Sequence, residues 1–201
     1  MIFNIIIISA VSLVLAIVDY FMLTKYLQIK CDRKTLVLLV CGTVLNAITD
    51  VWIVQNKGLA YALLMDIFVN LLIVMGIEDS SSKQIDSKLS VMSLALGIII
   101  SFFVPDSDFW KIIVISAVIG LALYLISKKS KEAIGKGDVI CITATTLCFS
   151  LSNVFACIIY SLLICMIYGV IQLLRKKIDK KQSIPFIPFL ILGILVTLIL
   201  A

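Results

Sequence analysis

Eight apolar segments, separated by short polar stretches, make up nearly the whole chain. They run over residues 2–24, 35–54, 59–77, 88–104, 110–127, 138–150, 153–174 and 184–201. An α-helix needs about 20 mostly apolar residues to cross the hydrocarbon core of a bilayer. The pattern therefore predicts an all-α, polytopic membrane bundle of about eight transmembrane helices, with residues 1–201 forming a single membrane-embedded domain. The sixth segment is the shortest, and only the polar stretch Ser150-Leu151-Ser152-Asn153 separates it from the seventh.

Basic residues are concentrated in every second loop. The first loop holds Lys25, Lys30, Arg33 and Lys34, and the third holds Lys83 and Lys88. The fifth holds Lys128, Lys129, Lys131 and Lys136, and the seventh holds Arg175, Lys176, Lys177, Lys180 and Lys181. The even-numbered loops carry little positive charge, with Lys57 in the second and Lys111 in the fourth. Because short loops rich in lysine and arginine stay in the cytoplasm, we predict that the odd-numbered loops face inward and that both termini are extracytoplasmic.

The composition supports embedding in a membrane. Hydrophobic residues make up 62% of the chain and charged residues 14%, with a mean hydropathy of +1.20, whereas about a quarter of the residues in a soluble domain are charged. The net charge of +5 comes from the loops that set the topology. A lipid bilayer is therefore a predicted partner and nucleic acid is not. The predicted location is the cell (cytoplasmic) membrane.

The absence of histidine narrows the possible chemistry. The chain has no histidine, which excludes Ser-His-Asp and Cys-His catalysis and the His-Glu-x-x-His zinc site. Its six cysteines form no Cys-x-x-Cys pair, a spacing typical of zinc ribbons and dithiol redox sites. No metal site and no cofactor is predicted, and most of the cysteines are interpreted as small buried hydrophobic residues.

The positions of the twelve carboxylates divide them into groups. Five in or beside loops are predicted to be solvated: Asp32, Asp50, Asp106, Asp108 and Asp179. Glu132 lies among lysines and is predicted to pair with them. Asp19 and Asp66 fall inside apolar segments, where an acidic residue is costly and often functional. We interpret Asp19 either as forming an interhelical hydrogen bond or as a residue near the helix end whose side chain snorkels toward the membrane surface. For Asp66, a functional and a structural interpretation stay open.

Asp79 and Asp138 lie at the inner ends of the third and sixth predicted helices. Two predicted helices separate them, so the chain crosses the membrane twice and returns both residues to the same face. Two carboxylates held close together cannot both ionise, and one of them keeps a proton. The ionised carboxylate can activate water while the protonated one donates to a carbonyl oxygen, and neither step needs histidine or a metal. Asp79 and Asp138 are therefore a candidate catalytic pair.

Three pieces of the chain resemble, in order, the type IV prepilin peptidases, which are membrane aspartyl proteases with a G-x-G-D motif. The first piece is Asp79, followed six residues later by the aliphatic Ile85. The second is Gly135-Lys136-Gly137-Asp138-Val139, and the third is Ile184-Pro185-Phe186-Ile187-Pro188-Phe189-Leu190. The resemblance covers about residues 70–190 and implies a peptidase-like core there.

The resemblance implies an aspartic-type endopeptidase that removes short basic leaders from prepilin-like or pseudopilin precursors. Cleavage would occur at the cytoplasmic face, just before the apolar helix of the substrate. The implied catalytic residues are Asp79 and Asp138, and the implied residues that bind substrate or shape the site are Gly135, Gly137, Pro185 and Pro188. The glycines would shape the approach to the second aspartate, and the prolines would set a bent approach to the last helix.

The chain departs from the family pattern in two places. Asp86 stands where the family usually has proline, which adds a rival carboxylate near Asp79. The first cytoplasmic loop holds one cysteine, Cys31, where many members have paired cysteines associated with N-methylation, so methyl transfer is not predicted. We hypothesise that a basic leader is attracted by the acidic residues Glu78, Asp86 and Glu132.

Other functions are compatible with parts of the pattern. A non-enzymatic transporter could use Asp19 and Asp66 to bind a cation or to relay protons. A presenilin-like protease would share the G-x-G-D motif, but the chain has no Pro-Ala-Leu segment. A serine–lysine hydrolase built on Ser82-Lys83 or Ser127-Lys128 is disfavoured because adjacent residues do not face each other on a helix.

Overall fold

The computed structural model describes residues 2–29, 32–105, 108–129, 135–175 and 184–200. In these ranges the chain forms α-helices and no strands, which confirms the predicted all-α fold. The helices are α1 (Ile2–Phe21), α2 (Arg33–Lys57), α3 (Leu59–Ser82), α4 (Ser87–Ser101), α5 (Phe109–Lys129), α6 (Lys136–Leu147), α7 (Leu151–Leu174) and α8 (Ile187–Leu200). α1 continues into a π-helical turn, Met22–Tyr26. The sequence assignments made for Cys31, Asp106, Glu132 and Asp179 lie outside the described residues.

Helix length separates the full spans from the shorter helices. Five helices of the described chain are long and apolar enough to cross a membrane: α1 with its π-helical turn, α2, α3, α5 and α7. α4 and α8 are shorter apolar helices. α6 has 12 residues, so it rises about 18 Å, less than the roughly 30 Å hydrocarbon core. The chain is therefore a multi-pass helical membrane protein, and the extracytoplasmic placement of its termini stays a prediction.

α3 is the central helix of the bundle. Of its most apolar stretch, 72% is buried inside the protein, compared with 11% for α5, so α5 presents most of its surface to lipid. α3 contacts α1, α2, α4 and α8, and Phe68, Leu72 and Met75 on it are fully buried. Because lipid tails are as apolar as these side chains, van der Waals packing rather than transfer from water holds the helix in place.

Small residues bring α4 and α6 close together. Ser90, Ser93 and Gly97 are buried at helical spacing on α4, which contacts α6. A Cβ atom added at Gly97 would lie 2.7 Å from the carbonyl oxygen of Ala144 on α6. Small residues at such positions let two membrane helices approach closely. This packing fixes α6 relative to α4, and with it the acidic residue in the first turn of α6.

A tight turn reverses the chain after α3. The helix runs to Ser82, beyond the predicted end at residue 77, so Asp79 lies in its last turn. Lys83 then adopts a left-handed backbone with φ of 55°, and its N–H donates to the Asp79 carbonyl oxygen at 2.9 Å, as at many helix ends. Asp86 begins α4 because its side chain accepts a hydrogen bond from the Lys88 N–H at 2.8 Å.

The last three helices follow the predicted order with shifted boundaries. α6 ends at Leu147 and α7 begins at Leu151, which confirms the division predicted from the polar residues at 150–153. The last helix begins at Ile187 rather than at residue 184. The residues Ile184-Pro185-Phe186 form a non-helical lead-in, because proline restricts the residue before it to extended backbone.

One prediction about the acidic residues is wrong. Asp50 was expected to be solvated near a loop, but α2 continues to Lys57 and its contacts with α1 and α3 leave Asp50 fully buried. Asp19 and Asp66 are also buried, at 5% and 0% exposure. Asp108 is exposed as predicted and forms an ion pair with Lys111.

Candidate active site

Asp138 lies in the first turn of α6. Gly135 is the residue that caps this helix, and Asp138 follows three residues later. The Asp138 carboxylate accepts a hydrogen bond from the backbone N–H of Gly135, as carboxylates at this helix position commonly do. The positive end of the helix also favours a negative charge here. A Cβ atom at Gly135 would lie 3.1 Å from Asp138 Oδ2, so glycine leaves room for the carboxylate.

Gly137 allows the α3–α4 turn to pack against α6. A Cβ atom at Gly137 would lie 2.8 Å from Ile85 Cδ1 and 3.1 Å from Ile85 Cβ. Ile85 lies in that turn and packs against the core. The aliphatic residue six positions after Asp79 therefore touches the glycine just before Asp138. This contact joins two of the three sequence pieces that resemble the prepilin peptidases.

Asp79 faces the beginning of α8. Its carboxylate lies near the backbone N–H groups of Phe186 and Ile187, which favour a negative charge there and belong to the unsatisfied N-terminus of that helix. Pro185 and Pro188 carry no backbone N–H. From Pro185 to Pro188 the chain therefore offers two amides, and both act on Asp79. The prolines flank the contact, and sequence analysis did not identify those two amides.

The contact with α8 compensates an unfavourable position of Asp79. A carboxylate in the last turn of a helix lies at the negative end of the helix dipole. Here the N-terminus of α8 supplies the opposite partial charge and two donors. Pro188 fits the first turn of α8 because that turn has no intrahelical acceptor for its N–H. Asp79 is thereby held at 7% exposure.

The structure brings Asp79 and Asp138 together. The two carboxylates are close enough for the charge of Asp79 to act on Asp138. Each has one buried oxygen, Asp79 Oδ2 and Asp138 Oδ1, without a hydrogen-bond partner among the described residues. Two partly dehydrated carboxylates whose charges act on each other are unfavourable when both are ionised, so a proton on one of them is favoured. The pair can therefore present one ionised and one protonated oxygen to a bound molecule.

Three further side chains lie on the deep side of the pair, and sequence analysis missed them. Cys141 follows Asp138 by almost one turn of α6, is fully buried, and lies within range of the charges of both aspartates. Its thiol contacts the hydroxyls of Ser90 and Ser93 on α4. The spacing of these serines does indicate a small-residue face, but the sequence does not identify the helix that packs on it.

An apolar cavity of about 290 Å³ lies beside Asp138. It is enclosed by α5, α6, α7, α8 and the lead-in to α8. Its other lining residues are Ile119, Leu123, Ile142, Ile158, Leu162, Cys165, Ile184, Phe186 and Leu190. Of the described residues that line the cavity, Asp138 alone carries a charged group. The cavity can therefore hold apolar side chains next to a potential acid–base group.

Asp86, the rival carboxylate, is engaged in local structure. Its side chain caps α4 and interacts with Tyr26. Its backbone N–H donates to Glu78 Oε2 at 3.2 Å. Asp79, in contrast, keeps a free buried oxygen near Asp138. The described part of the chain contains no group of three or more cysteine or acidic side chains placed to hold a metal ion.

Comparison with known proteins identifies the family. The model of the type IV leader peptidase family matches residues 66–170, just over half of the chain. The matched region contains Asp79, Gly135, Gly137 and Asp138, whereas both prolines of the α8 lead-in lie beyond its end. Comparisons with curated proteins and with solved structures found no match. The chain therefore belongs to the type IV leader peptidase family.

Proposed function

We propose that this protein is an aspartic-type endopeptidase that removes short basic leaders from prepilin-like precursors at the cytoplasmic face of the cell membrane. The observation that carries the proposal is the approach of Asp79 and Asp138, from helices far apart in sequence, beside an apolar cavity. Family membership supports peptidase chemistry. It favours this function over the transporter considered from Asp19 and Asp66.

The environments of the two aspartates suggest separate roles. Burial disfavours the charge on both carboxylates, and the charge of Asp79 further disfavours ionisation of Asp138, so Asp79 acts as the base. It takes a proton from a water molecule whose oxygen attacks the scissile carbonyl carbon. Asp138 carries the shared proton and donates it to the carbonyl oxygen. Collapse of the tetrahedral intermediate then breaks the C–N bond: the leaving nitrogen takes the proton that Asp79 received, and a hydroxyl of the intermediate returns a proton to Asp138. No covalent enzyme intermediate forms.

The surroundings of the pair fit a substrate with two unlike halves. The apolar cavity beside Asp138 suits the first side chains of an apolar helix. Glu78 precedes Asp79 on α3 and is half-buried, and Asp86 lies next to it. These two carboxylates form an acidic spot suited to lysine or arginine in a leader.

The acidic spot gives a prediction about leader charge. The Glu78→Gln variant keeps the acceptor for the Asp86 N–H and removes the charge. We expect KM for a lysine-containing leader to rise roughly two- to five-fold, the range of a partly exposed ion pair, with kcat unchanged. The measurement compares cleavage of a basic leader with that of a matched neutral leader, for which KM should not change.

A matched control distinguishes local charge from net charge. Asp108→Asn removes one carboxylate at the opposite end of the bundle, where Asp108 is exposed. This variant should leave KM for both leaders unchanged. An equal change in KM for the basic and neutral leaders in Glu78→Gln would contradict recognition of leader charge by this residue.

The function itself is tested by reconstitution. The purified protein in lipid nanodiscs is incubated with a synthetic substrate that joins a short lysine-containing leader to an apolar helix. We expect one cut, between the leader and the helix, detected by mass spectrometry of both products. Cleavage that requires neither aspartate would contradict the proposed mechanism. An intact substrate with every leader tried would contradict the proposed function.

A further inference from the structure

A second group of buried polar side chains lies between α1, α2 and α3. It consists of Ser12, Asn46, Asp50, Asp66 and Asn70, all at most 5% exposed. Asp66 precedes Asp79 by thirteen residues on α3, which corresponds to about 20 Å along the helix. The group is therefore separate from the pair proposed to hydrolyse the peptide bond. Neither the family match nor the proposed function assigns it a role.

Donors converge on Asp66 from three helices. The side-chain amides of Asn46 and Asn70 donate to Asp66 Oδ1 at 2.8 and 2.7 Å. The hydroxyl of Ser12 on α1 donates to Asp66 Oδ2 at 3.0 Å. A carboxylate that accepts several hydrogen bonds is stabilised in its ionised form. Asp66 is therefore the accepting, ionised member of this group.

Asp50 has the opposite environment. Its Oδ1 is buried and has no hydrogen-bond partner among the described residues, and its Oδ2 lies 3.5 Å from the Ser12 hydroxyl. The Ser12 hydroxyl lies 3.5 Å from Asp50 Oδ2 and 3.0 Å from Asp66 Oδ2, so the two carboxyl groups share this neighbour and act on each other. Ionised carboxylates are acceptors only, so a hydrogen bond between the two groups requires a proton on one of them.

Among the described residues, no positive side chain acts on the two acids. The ionisable groups that act on Asp50, Asp66 and the nearby Asp19 of α1 are other carboxylates. Asp19 also has a buried oxygen, Oδ2, without a partner in the described ranges. Adjacent buried charges of one sign are strongly unfavourable, so the site needs a bound cation. The groups around Asp66 point N–H and O–H donors at it, and such donors repel a metal ion. The cation is therefore a proton bound to a carboxyl oxygen.

We propose that Asp50 is protonated and donates a hydrogen bond to Asp66. The two carboxyl groups then form a buried proton-binding site that joins α2 to α3. The protonated Asp50 supplies one more donor to Asp66 and removes one of two adjacent charges. Through Ser12 the same site also holds α1. The proton thus stabilises the packing of the three N-terminal helices, independently of peptide hydrolysis.

A pair of isosteric variants tests the assigned roles. Asp50→Asn keeps an N–H donor toward Asp66, so we expect its unfolding temperature to stay within about 2 °C of the wild type. Asp66→Asn replaces the common acceptor with a group that also carries donors, and should lower the unfolding temperature by roughly 5 °C or more. Equal losses, or a larger loss for Asp50→Asn, would overturn the proposal.

Infrared spectroscopy detects the proton directly and does not need a folded Asp66→Asn protein. The difference spectrum between the wild type and Asp50→Asn at neutral pH should contain the C=O band of one carboxylic acid, shifted in D₂O. Asp50→Asn should still cleave substrate at the wild-type rate, because Asp50 is distant from the Asp79–Asp138 pair. Absence of the band from the difference spectrum would show that Asp50 is ionised and would overturn the proposal.

The proton has to be distinguished from a metal cation. We expect the unfolding temperature to be the same in sodium, potassium and choline chloride at equal ionic strength. Raising the pH should destabilise the wild type more than Asp50→Asn, because loss of the proton leaves Asp50 and Asp66 charged beside Asp19. A sodium-specific stabilisation that Asp66→Asn abolishes would identify a sodium site instead and overturn the assignment of a proton.

Discussion

Replacing Asp138 with asparagine is expected to slow leader cleavage by roughly 100-fold or more, and replacing Asp79 should have a similar effect. Acid–base catalysis by one positioned side chain contributes about 100- to 10,000-fold, and asparagine cannot exchange a proton with water or substrate. The measurement is the initial rate of leader release by each purified variant in nanodiscs. The asparagine at position 79 still offers an oxygen to the N–H groups of Phe186 and Ile187, so the fold should be retained.

The matched control for these variants is Asp86→Asn. It makes the same chemical change in the α3–α4 turn, and asparagine is as good a helix cap as aspartate. We expect its kcat to lie within about three-fold of the wild type, whereas its KM for a basic leader should rise as it does in Glu78→Gln. Loss of activity in Asp86→Asn with activity kept in Asp79→Asn would reassign the catalytic residue to Asp86.

Replacing Gly137 with alanine is expected to lower the cleavage rate by tenfold to roughly 100-fold. The added methyl group would lie 2.8 Å from Ile85 Cδ1 and 3.1 Å from Ile85 Cβ, so the Ile85 side chain must turn away and the α3–α4 turn must shift from α6 by a few tenths of an ångström. That shift moves Asp79 relative to Asp138. Because a misplacement of about 1 Å can slow catalysis by about 100-fold, this smaller shift places the loss near the lower end of the range. The same nanodisc assay measures the effect.

A second substitution tests this explanation. Ile85→Ala removes the nearest of the opposing atoms, so the double variant Gly137→Ala/Ile85→Ala should be several-fold faster than Gly137→Ala. Gly76→Ala is the control glycine, because its added Cβ would meet its neighbours at 3.4 to 3.7 Å, which is ordinary contact. Wild-type activity in Gly137→Ala, or a double variant slower than the single one, would show that this contact does not position the pair.

The sequence predicts the parts of this fold that depend on local composition. Each helix follows from an apolar segment, although α4, α6 and α8 are shorter than a full span, and the candidate acidic pair follows from its position at two segment ends. The Phe186 and Ile187 amides were missed because any helix N-terminus has free N–H groups. Which carboxylate they bind depends on how α8 packs against α3. The role of Ile85 is also non-local, since it requires the contact with Gly137.

Asp50 shows a different limit of sequence analysis. It stands a few residues before a predicted loop, where an acidic residue is usually solvated. Its burial depends on α2 extending to Lys57 and on the contacts of α2 with α1 and α3. A single sequence does not indicate which face of a nearly uniformly apolar helix points inward. The hydrogen bonds that Asp66 accepts from Asn46 and Ser12 could be identified only from the packed helices.

The most direct test of the central claim is the single-turnover rate of substrate cleavage by Asp79→Asn, Asp138→Asn and the double variant. If the two carboxylates act as one unit, each single variant should lose nearly all activity and the double variant should be no slower than the slower single one. A single variant that keeps more than about a tenth of the wild-type rate would contradict a shared role, since loss of one acid–base group is expected to slow the reaction about 100-fold or more.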